Sequence, residues 1–180
     1  AAERAVLGRM LARGVQCPMA SSAGRLFDAF AALAGLAQRC THEGEAAMLL
    51  EGAAGPPGDT ALPFPLRGGE IDWQPALDAW LASPVPLAVR AAAFHDGLAA
   101  AIATVAREAG IRRVALSGGC FQNARLLEAS VATLQAAGHT VLWPRRVPPN
   151  DAAIALGQVI YAAAQEQGAE PCAWQYPAAC

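Results

Sequence analysis

The sequence predicts an α/β fold in which a short, partly parallel sheet is flanked by helices. From residue 87 onward, a helix-length apolar segment precedes a short apolar run, a glycine-rich turn, a second helix, a second short run and a last helix. Strands separated by a helix are joined by crossover connections, which makes them parallel. Hydrophobic residues make up 54% of the chain and charged residues 16%, which excludes a disordered protein.

Length, charge and cysteine content narrow the class of protein. The 180 residues suffice for one domain, and a net charge of -2 without a basic stripe predicts no nucleic-acid partner. No window resembles the run of about 20 apolar residues that spans a membrane, so no membrane association is expected. The five cysteines are scattered without a CxxC pair. Neither a zinc knuckle nor a disulfide framework is therefore expected. Reduced thiols and a cytoplasmic location are expected instead.

The first stretch, residues 1–54, is predicted to be helical. Helices are expected near residues 3–13, 24–36 and 43–54. Ser21 and Ser22 are N-cap candidates for the second helix. The apolar stripe of that helix is formed by Leu26, Phe27, Phe30, Leu33 and Ala34.

The middle stretch, residues 55–86, is rich in proline and glycine. Two short edge strands are expected at residues 62–66 and 70–73, with the turn at Gly68 and Gly69. A short helix is expected at residues 75–81. This stretch is interpreted as a connection within one domain.

The last stretch defines the α/β pattern. A long helix is predicted at residues 87–109 and is closed by Gly110. Strands are predicted at residues 113–116 and 140–143, and helices at 121–137 and from the Pro148–Asp151 loop to about residue 165. The long helix is expected to carry its apolar face on Phe94, Leu98, Ile102 and Val105.

Ser117, Gly118 and Gly119 lie where a buried strand ends and a helix begins. Paired glycines let a ligand approach the backbone, and a helix amino terminus attracts phosphate. The segment lacks the Gly-Lys-Ser/Thr of a P-loop, and glycines that only form the turn are an equal alternative. Cys120 follows them; a helix amino terminus can lower a thiol pKa, but packing is the preferred role.

Three further polar residues have two interpretations each. Asn123 either contacts a ligand held by the glycine turn or caps a helix. Asp151 either ligates a metal or serves as an N-cap, which is favoured. Asp28 either pairs with Arg25 on the surface or binds ribose hydroxyl groups.

The histidines do not have a metal-ligand spacing. His42 and His95 each precede an acidic residue, and solvated positions near helix starts are expected for them. No catalytic Ser-His-Asp or Cys-His set can be argued, so the catalytic residues are unknown.

Four motifs in order resemble those of HypF-type carbamoyltransferases. They are SSAGRLFDA at residues 21–29, HEGEAAMLLE at 42–51, SGGCFQN at 117–123 and PPNDAAIALGQ at 148–158. The resemblance runs from about residue 3 to residue 165. It implies a domain at residues 1–166 followed by a tail at 167–180.

The resemblance implies the second lobe of the sugar kinase, Hsc70 and actin fold, which is ribonuclease H-like. Such proteins bind ATP between two lobes. It also implies transfer of a carbamoyl group, by way of carbamoyl-adenylate, to the terminal cysteine of HypE during [NiFe]-hydrogenase maturation. The implied partners are a HypE-type acceptor and the remaining HypF domains, namely the first lobe and the YrdC-like and acylphosphatase-like domains.

Carried over by motif, Ser117, Gly118 and Gly119 would hold phosphates. Asn123 would contact adenine, Asp28 the ribose, and Asp151 a divalent metal whose other ligands lie outside this chain. Ala152 and Ala153 replace the usual glycine pair, which bears on the metal and phosphate roles. The chain alone is expected to lack overall activity.

Two alternatives remain open. One is a lobe of a related O- or threonylcarbamoyl transferase, and the other is a non-catalytic interaction module.

Overall fold

The computed structural model describes residues 2–168, which form seven α-helices and two small sheets. The chain divides into two compact units, one ending at Gly52 and the other beginning at Ala53. The predicted tail, with Cys172 and Cys180, lies outside the described residues from residue 169 onward.

The first unit is helical, as the sequence predicts. It contains α1 (Ala2–Arg13), α2 (Ala23–Leu33) and α3 (Glu45–Ala53). Helix α2 buries Phe27, Phe30 and Ala31, whereas Leu33 is 47% exposed. Leu33, the last residue of α2, is therefore the member of the predicted apolar stripe that lies mostly outside the core, whereas Ala31 takes a buried position instead. Ser22 occupies the N-cap position, but its side chain makes no capping hydrogen bond.

The turn before α3 is held by Glu45. Its carboxylate accepts hydrogen bonds from both the backbone N–H and the hydroxyl of Thr41. These bonds stabilise the charged form and lower the pKa of Glu45. Exposed His42 contacts the Thr41 hydroxyl and belongs to this turn. Helix α3 accordingly begins two residues later than predicted.

The proline-rich stretch runs across the long helix of the second unit. The Leu62 N–H donates to the Ala93 carbonyl at 2.8 Å, and Phe64 packs edge-to-face on Phe94. The antiparallel hairpin is found at the predicted turn, but its strands, β1 (Leu66–Arg67) and β2 (Glu70–Ile71), have only two residues each. The preceding residues pack on the helix instead of pairing. Helix α4 (Gln74–Ala82) follows.

Helix α5 (Leu87–Glu108) is the core helix of the second unit. Alanines account for most of its buried residues, and Val105 is 40% exposed. The predicted apolar face is therefore wrong at Val105, because small residues and not the largest ones line the packed surface. Among the described residues α5 alone has the length and mean hydropathy of a membrane span. However, 56% of the qualifying window is buried in the structure, as in a core helix.

The sheet of the second unit is parallel, which confirms the predicted α/β class. Strand β3 (Arg113–Ala115) pairs with β4 (Thr140–Leu142), and α6 (Ala124–Ala136) connects them. The core between the sheet, α5 and α6 contains Ala103, Ala106, Leu116, Leu134 and Val141. This packing brings the carboxyl ends of both strands to one edge.

Helix α7 (Ile154–Glu166) has no buried residue. Five large apolar side chains are between 46% and 66% exposed: Ile154, Leu156, Val159, Ile160 and Tyr161. An apolar surface of this kind marks an interaction face.

Candidate functional site

Two loops meet at the carboxyl edge of the parallel sheet. The Gly118 N–H donates to the Pro149 carbonyl at 2.7 Å, and the Ser117 hydroxyl approaches the same oxygen at 3.4 Å. Two motifs that are 30 residues apart in the sequence are thus joined directly. In open α/β sheets, ligands bind at this edge.

The two glycines of the turn differ in what the fold requires of them. Gly118 has φ 102° and ψ 159°, a backbone conformation that is essentially restricted to glycine. Its N–H is used by Pro149, so it shapes the turn and is not a free donor. Gly119 has no positive φ, and a Cβ there would meet no described atom within 4 Å. Neither conformation nor packing in this chain requires a glycine at position 119, and the space beside it is open.

The predicted helix after the glycine turn begins differently from the prediction. A 3₁₀ helix covers Gly119–Gln122, and α6 starts only at Ala124. Asn123 separates them and is the N-cap, with its Oδ1 accepting the Leu126 N–H at 2.8 Å. The capping role that the sequence offered for Asn123 is therefore present. Its contact with a nucleotide stays a prediction.

The same asparagine contacts a histidine that the sequence analysis misplaced. His95 lies in the middle of α5 and is completely buried, not solvated at a helix start. Its Nδ1 lies 2.7 Å from the Ala91 carbonyl, and its Nε2 lies 3.0 Å from Asn123 Nδ2. Many alanines flank His95 in the sequence, and such small residues let neighbouring elements pack closely against the helix. This pattern could have indicated that His95 is buried.

Asp151 is not the N-cap that sequence reasoning favoured. Asn150 takes that position, and its side chain accepts the Ala152 N–H at 3.2 Å. The exposed Asp151 carboxylate has no hydrogen bond or ion pair with another described residue, although the backbone carbonyl of Asp151 accepts the Ile154 N–H. A free carboxylate suits a hard divalent cation. No group of three metal-ligating side chains exists among the described residues, so this unit offers at most part of such a site.

Cys120 follows the glycine turn but is not activated. Burial raises the pKa of its thiol. The suggestion that a helix amino terminus lowers this pKa is wrong, because the adjoining helix is a single 3₁₀ turn and desolvation of the thiolate dominates. The preferred packing role agrees with the raised pKa.

An apolar cavity of about 320 Å³ opens beside the joined loops. The sequence did not indicate this cavity, because its walls come from separate segments, namely the residue after β3, the 3₁₀ helix, α6 and the loop after β4. The Arg145 guanidinium lies 4.4 Å above the Trp143 ring at this end of the sheet. The cavity is lined by Leu116, Phe121, Gln122, Leu127, Trp143, Pro144 and Pro149.

Asp28 belongs to the first unit. It forms an i,i+3 ion pair with Arg25 at 3.1 Å, as one of its two interpretations predicts. The carboxylate side chain is 34% exposed and lines a second cavity of about 320 Å³, together with Arg39 and His42. Cationic and hydrogen-bonding groups therefore surround a partly exposed carboxylate.

Comparison with known proteins decides the family. A sequence model described as the second subdomain of the Kae1-like domain of carbamoyltransferase matches residues 1–158. The chain belongs to the HypF carbamoyltransferase family. It is 44% identical over 170 residues to carbamoyltransferase HypF of Rhodobacter capsulatus, covering 92% of this chain and 22% of that protein. The HypF of Synechocystis is 41% identical over 158 residues, covering 84% and 21%.

Solved HypF structures have the same fold. A full-length HypF in a phosphate- and nucleotide-bound form superposes with a TM-score of 0.80 and 30% identity, over 97% of this chain and 24% of that one. HypF of T. kodakarensis gives a TM-score of 0.81 over 93% and 23%. Both the predicted family and the predicted fold are confirmed. The chain spans about a fifth of the length of these curated relatives.

Proposed function

We propose that this chain is the nucleotide-binding second lobe of a carbamoyltransferase. In this proposal it binds ATP or carbamoyl-adenylate and takes part in transferring the carbamoyl group to the terminal cysteine of a HypE-type acceptor, for cyanide ligand synthesis in [NiFe]-hydrogenase maturation. The observation that carries the proposal is the junction of two family-like motifs through Gly118 and Pro149. A similar HypF protein has been crystallised with nucleotide and phosphate, which supports it.

The nucleotide contacts are proposed from the resemblance to the HypF motifs, and the geometry of the glycine turn supports the phosphate contacts. Gly119 borders open space, so its backbone can approach a phosphate, with the Ser117 hydroxyl beside it. Gly118 gives the turn its shape. Asn123 follows within the same turn and would contact the adenine, while Asp28 would accept hydrogen bonds from the ribose hydroxyls.

Asp151 would supply this chain's ligand to a phosphate-bound divalent metal. Because Asn150 performs the capping, the Asp151 carboxylate can ligate without loss of the helix start. The metal, when bound, neutralises phosphate charge, and the rest of its ligands come from outside this chain. Ala152 and Ala153 are exposed or half-exposed in the short helical turn and leave this carboxylate accessible.

The remaining parts of a HypF protein are the proposed partners. The exposed apolar side chains of α7 supply a surface for the rest of the Kae1-like domain. The YrdC-like and acylphosphatase-like domains and the HypE-type acceptor complete the proposed set, in the cytoplasm. Residues 1–166 form the lobe in this proposal, and residues 167–180 form a tail.

A non-catalytic interaction module is the second candidate. The exposed face of α7 favours it, because an apolar surface alone suffices for binding a partner. A related O- or threonylcarbamoyl transferase would share the same lobe, and the acceptor specificity distinguishes it from the HypF assignment.

Calorimetric titration of ATP with magnesium tests the proposal. The titration uses the purified chain, both alone and mixed with the separately expressed first subdomain of the Kae1-like domain. Asn123→Ser keeps a capping oxygen and removes the amide, so it lowers affinity without losing α6. Asn150→Ser is the matched control, because it alters a neighbouring cap outside the proposed nucleotide contacts. Saturable binding that Asn123→Ser weakens supports the nucleotide site. Absence of heat in both arrangements contradicts it and favours the interaction module.

A further inference from the structure

We propose that His95 is a positioning residue for the nucleotide site and acts through Asn123. The inference rests on the proposed nucleotide role of Asn123. His95 lies in the middle of the core helix α5. Its Nε2 contacts the Asn123 amide at the junction between the glycine turn and α6.

The hydrogen bonds fix the chemistry of this contact. The Leu126 N–H donates to Asn123 Oδ1, so the amide nitrogen must be the group that faces His95. An amide nitrogen only donates, and His95 Nε2 must therefore accept. Nδ1 then carries the proton and donates to the Ala91 carbonyl at 2.7 Å. The structure assigns a neutral, Nδ1-protonated imidazole.

Asn123 links the glycine turn to α6. Its backbone N–H donates to the Cys120 carbonyl at 3.2 Å and closes the 3₁₀ helix, in which the Phe121 N–H donates to the Gly118 carbonyl. A rotation of the Asn123 side chain would lose the cap to Leu126 and displace the amide that is proposed to contact the adenine. The chain of contacts thus runs from the rigid core helix to the proposed phosphate and adenine groups.

A neighbouring tie between the same helices offers a control. Asp96 forms an ion pair with Arg125 at 3.4 Å, and both side chains are less than 20% exposed. This pair joins α5 to the first turn of α6, one residue after His95 and two residues after Asn123. It does not involve the Asn123 side chain. If His95 only stabilised the packing of α5 on α6, loss of either the His95–Asn123 contact or the Asp96–Arg125 ion pair would have the same effect on nucleotide affinity.

Conservative replacement of His95 tests the inference through the affinity for magnesium ATP. Gln at position 95 can place a neutral acceptor where Nε2 lies, whereas Asn is too short and Leu has no acceptor. We expect His95→Gln to retain affinity within about threefold, and His95→Asn and His95→Leu to lose on the order of tenfold, the equivalent of one hydrogen bond. Asp96→Asn is expected to lower stability and leave the affinity of the folded protein unchanged.

A second readout does not depend on nucleotide binding. Nitrogen NMR of the unliganded chain should show His95 as the neutral, Nδ1-protonated form, and Asn123→Ser should perturb the Nε2 signal. Equal loss of affinity in Gln, Asn and Leu variants, or full affinity in the Leu variant, would overturn the positioning role. An Nε2-protonated or charged His95 would overturn it as well. Failure of all proteins to bind nucleotide, with the predicted NMR signature intact, would refute the proposed function and the positioning role with it, while the hydrogen bond between His95 and Asn123 would stand.

Discussion

Gly97→Ala is expected to destabilise the second unit, although alanine normally favours a helix over glycine. Gly97 lies in α5, and a Cβ at this position would stand 2.3 Å from the Leu62 carbonyl oxygen and 3.0 Å from the Leu62 nitrogen. The obstacle is backbone, which cannot rotate away as a side chain does. The segment around Leu62 would have to move by about 1 Å to restore an ordinary contact distance.

The cost follows from what this movement disturbs. The Leu62 N–H donates to the Ala93 carbonyl at 2.8 Å, and Leu62 and Phe64 are buried. Overpacking costs about 1–3 kcal/mol and a lost hydrogen bond about 1 kcal/mol, while the helix propensity of alanine returns about 1 kcal/mol. We therefore expect the free energy of unfolding to fall by about 1–3 kcal/mol.

Gly157→Ala is the matched control in the same unit. Gly157 lies in α7, where an added Cβ meets no described atom within 4 Å. The same change should there increase stability by about 0.5–1 kcal/mol. The two variants should thus differ by about 1.5–4 kcal/mol, and thermal unfolding followed by circular dichroism should separate them by roughly 3–16 °C, at about 2–4 °C per kcal/mol for a chain of this size. A Gly97→Ala protein as stable as Gly157→Ala would refute the packing argument.

Three other changes are expected to have separable effects. Gly119→Ala should leave the melting temperature within about 2 °C of wild type and lower nucleotide affinity. Gly118→Ala should instead lower the free energy of unfolding by about 1–3 kcal/mol, because Gly118 has φ 102°. Equal effects of the two variants on stability and affinity would contradict the different roles assigned to the two glycines. Ser130 is fully buried in α6, and its hydroxyl has no hydrogen-bond partner in the described structure. Urea denaturation should therefore show that Ser130→Ala stabilises the chain by about 1 kcal/mol. A loss of stability would show that the hydroxyl forms a hydrogen bond. Burial raises the pKa of Cys120, so alkylation of this thiol should accelerate only at a higher pH than alkylation of an ordinary thiol. Peptide mapping should show that Cys120 reacts more slowly than exposed Cys40. A faster reaction at Cys120 would contradict its burial.

Sequence patterns were sufficient for the elements that local chemistry determines. Gly110 ends α5 with φ 65°, and the Gly68–Gly69 turn forms the predicted hairpin. The parallel pairing of β3 with β4 followed from the intervening helix. In each case residues close in sequence carry the information, so no tertiary contact was needed.

Tertiary packing decided the features that were mispredicted. His95 was assigned to solvent because its acidic neighbour suggests exposure, yet the alanine face of α5 encloses it. The N-cap is Asn150 and not Asp151. The two candidate caps are adjacent in the sequence, and no spacing rule distinguishes between them. The junction between Gly118 and Pro149 could be expected only from motif resemblance, since it joins loops from separate crossovers.

The central claim is that these motifs form one nucleotide site, and the most direct measurement is amide NMR of the labelled chain during titration with magnesium ATP. The titration is made with the unlabelled first subdomain of the Kae1-like domain present. We expect the resonances of Gly118, Gly119, Asn123 and Asp151 to move along one shared saturation curve. Shifts confined to α7 on addition of the subdomain, with these four residues unmoved by nucleotide, would contradict the claim and identify the chain as an interaction module.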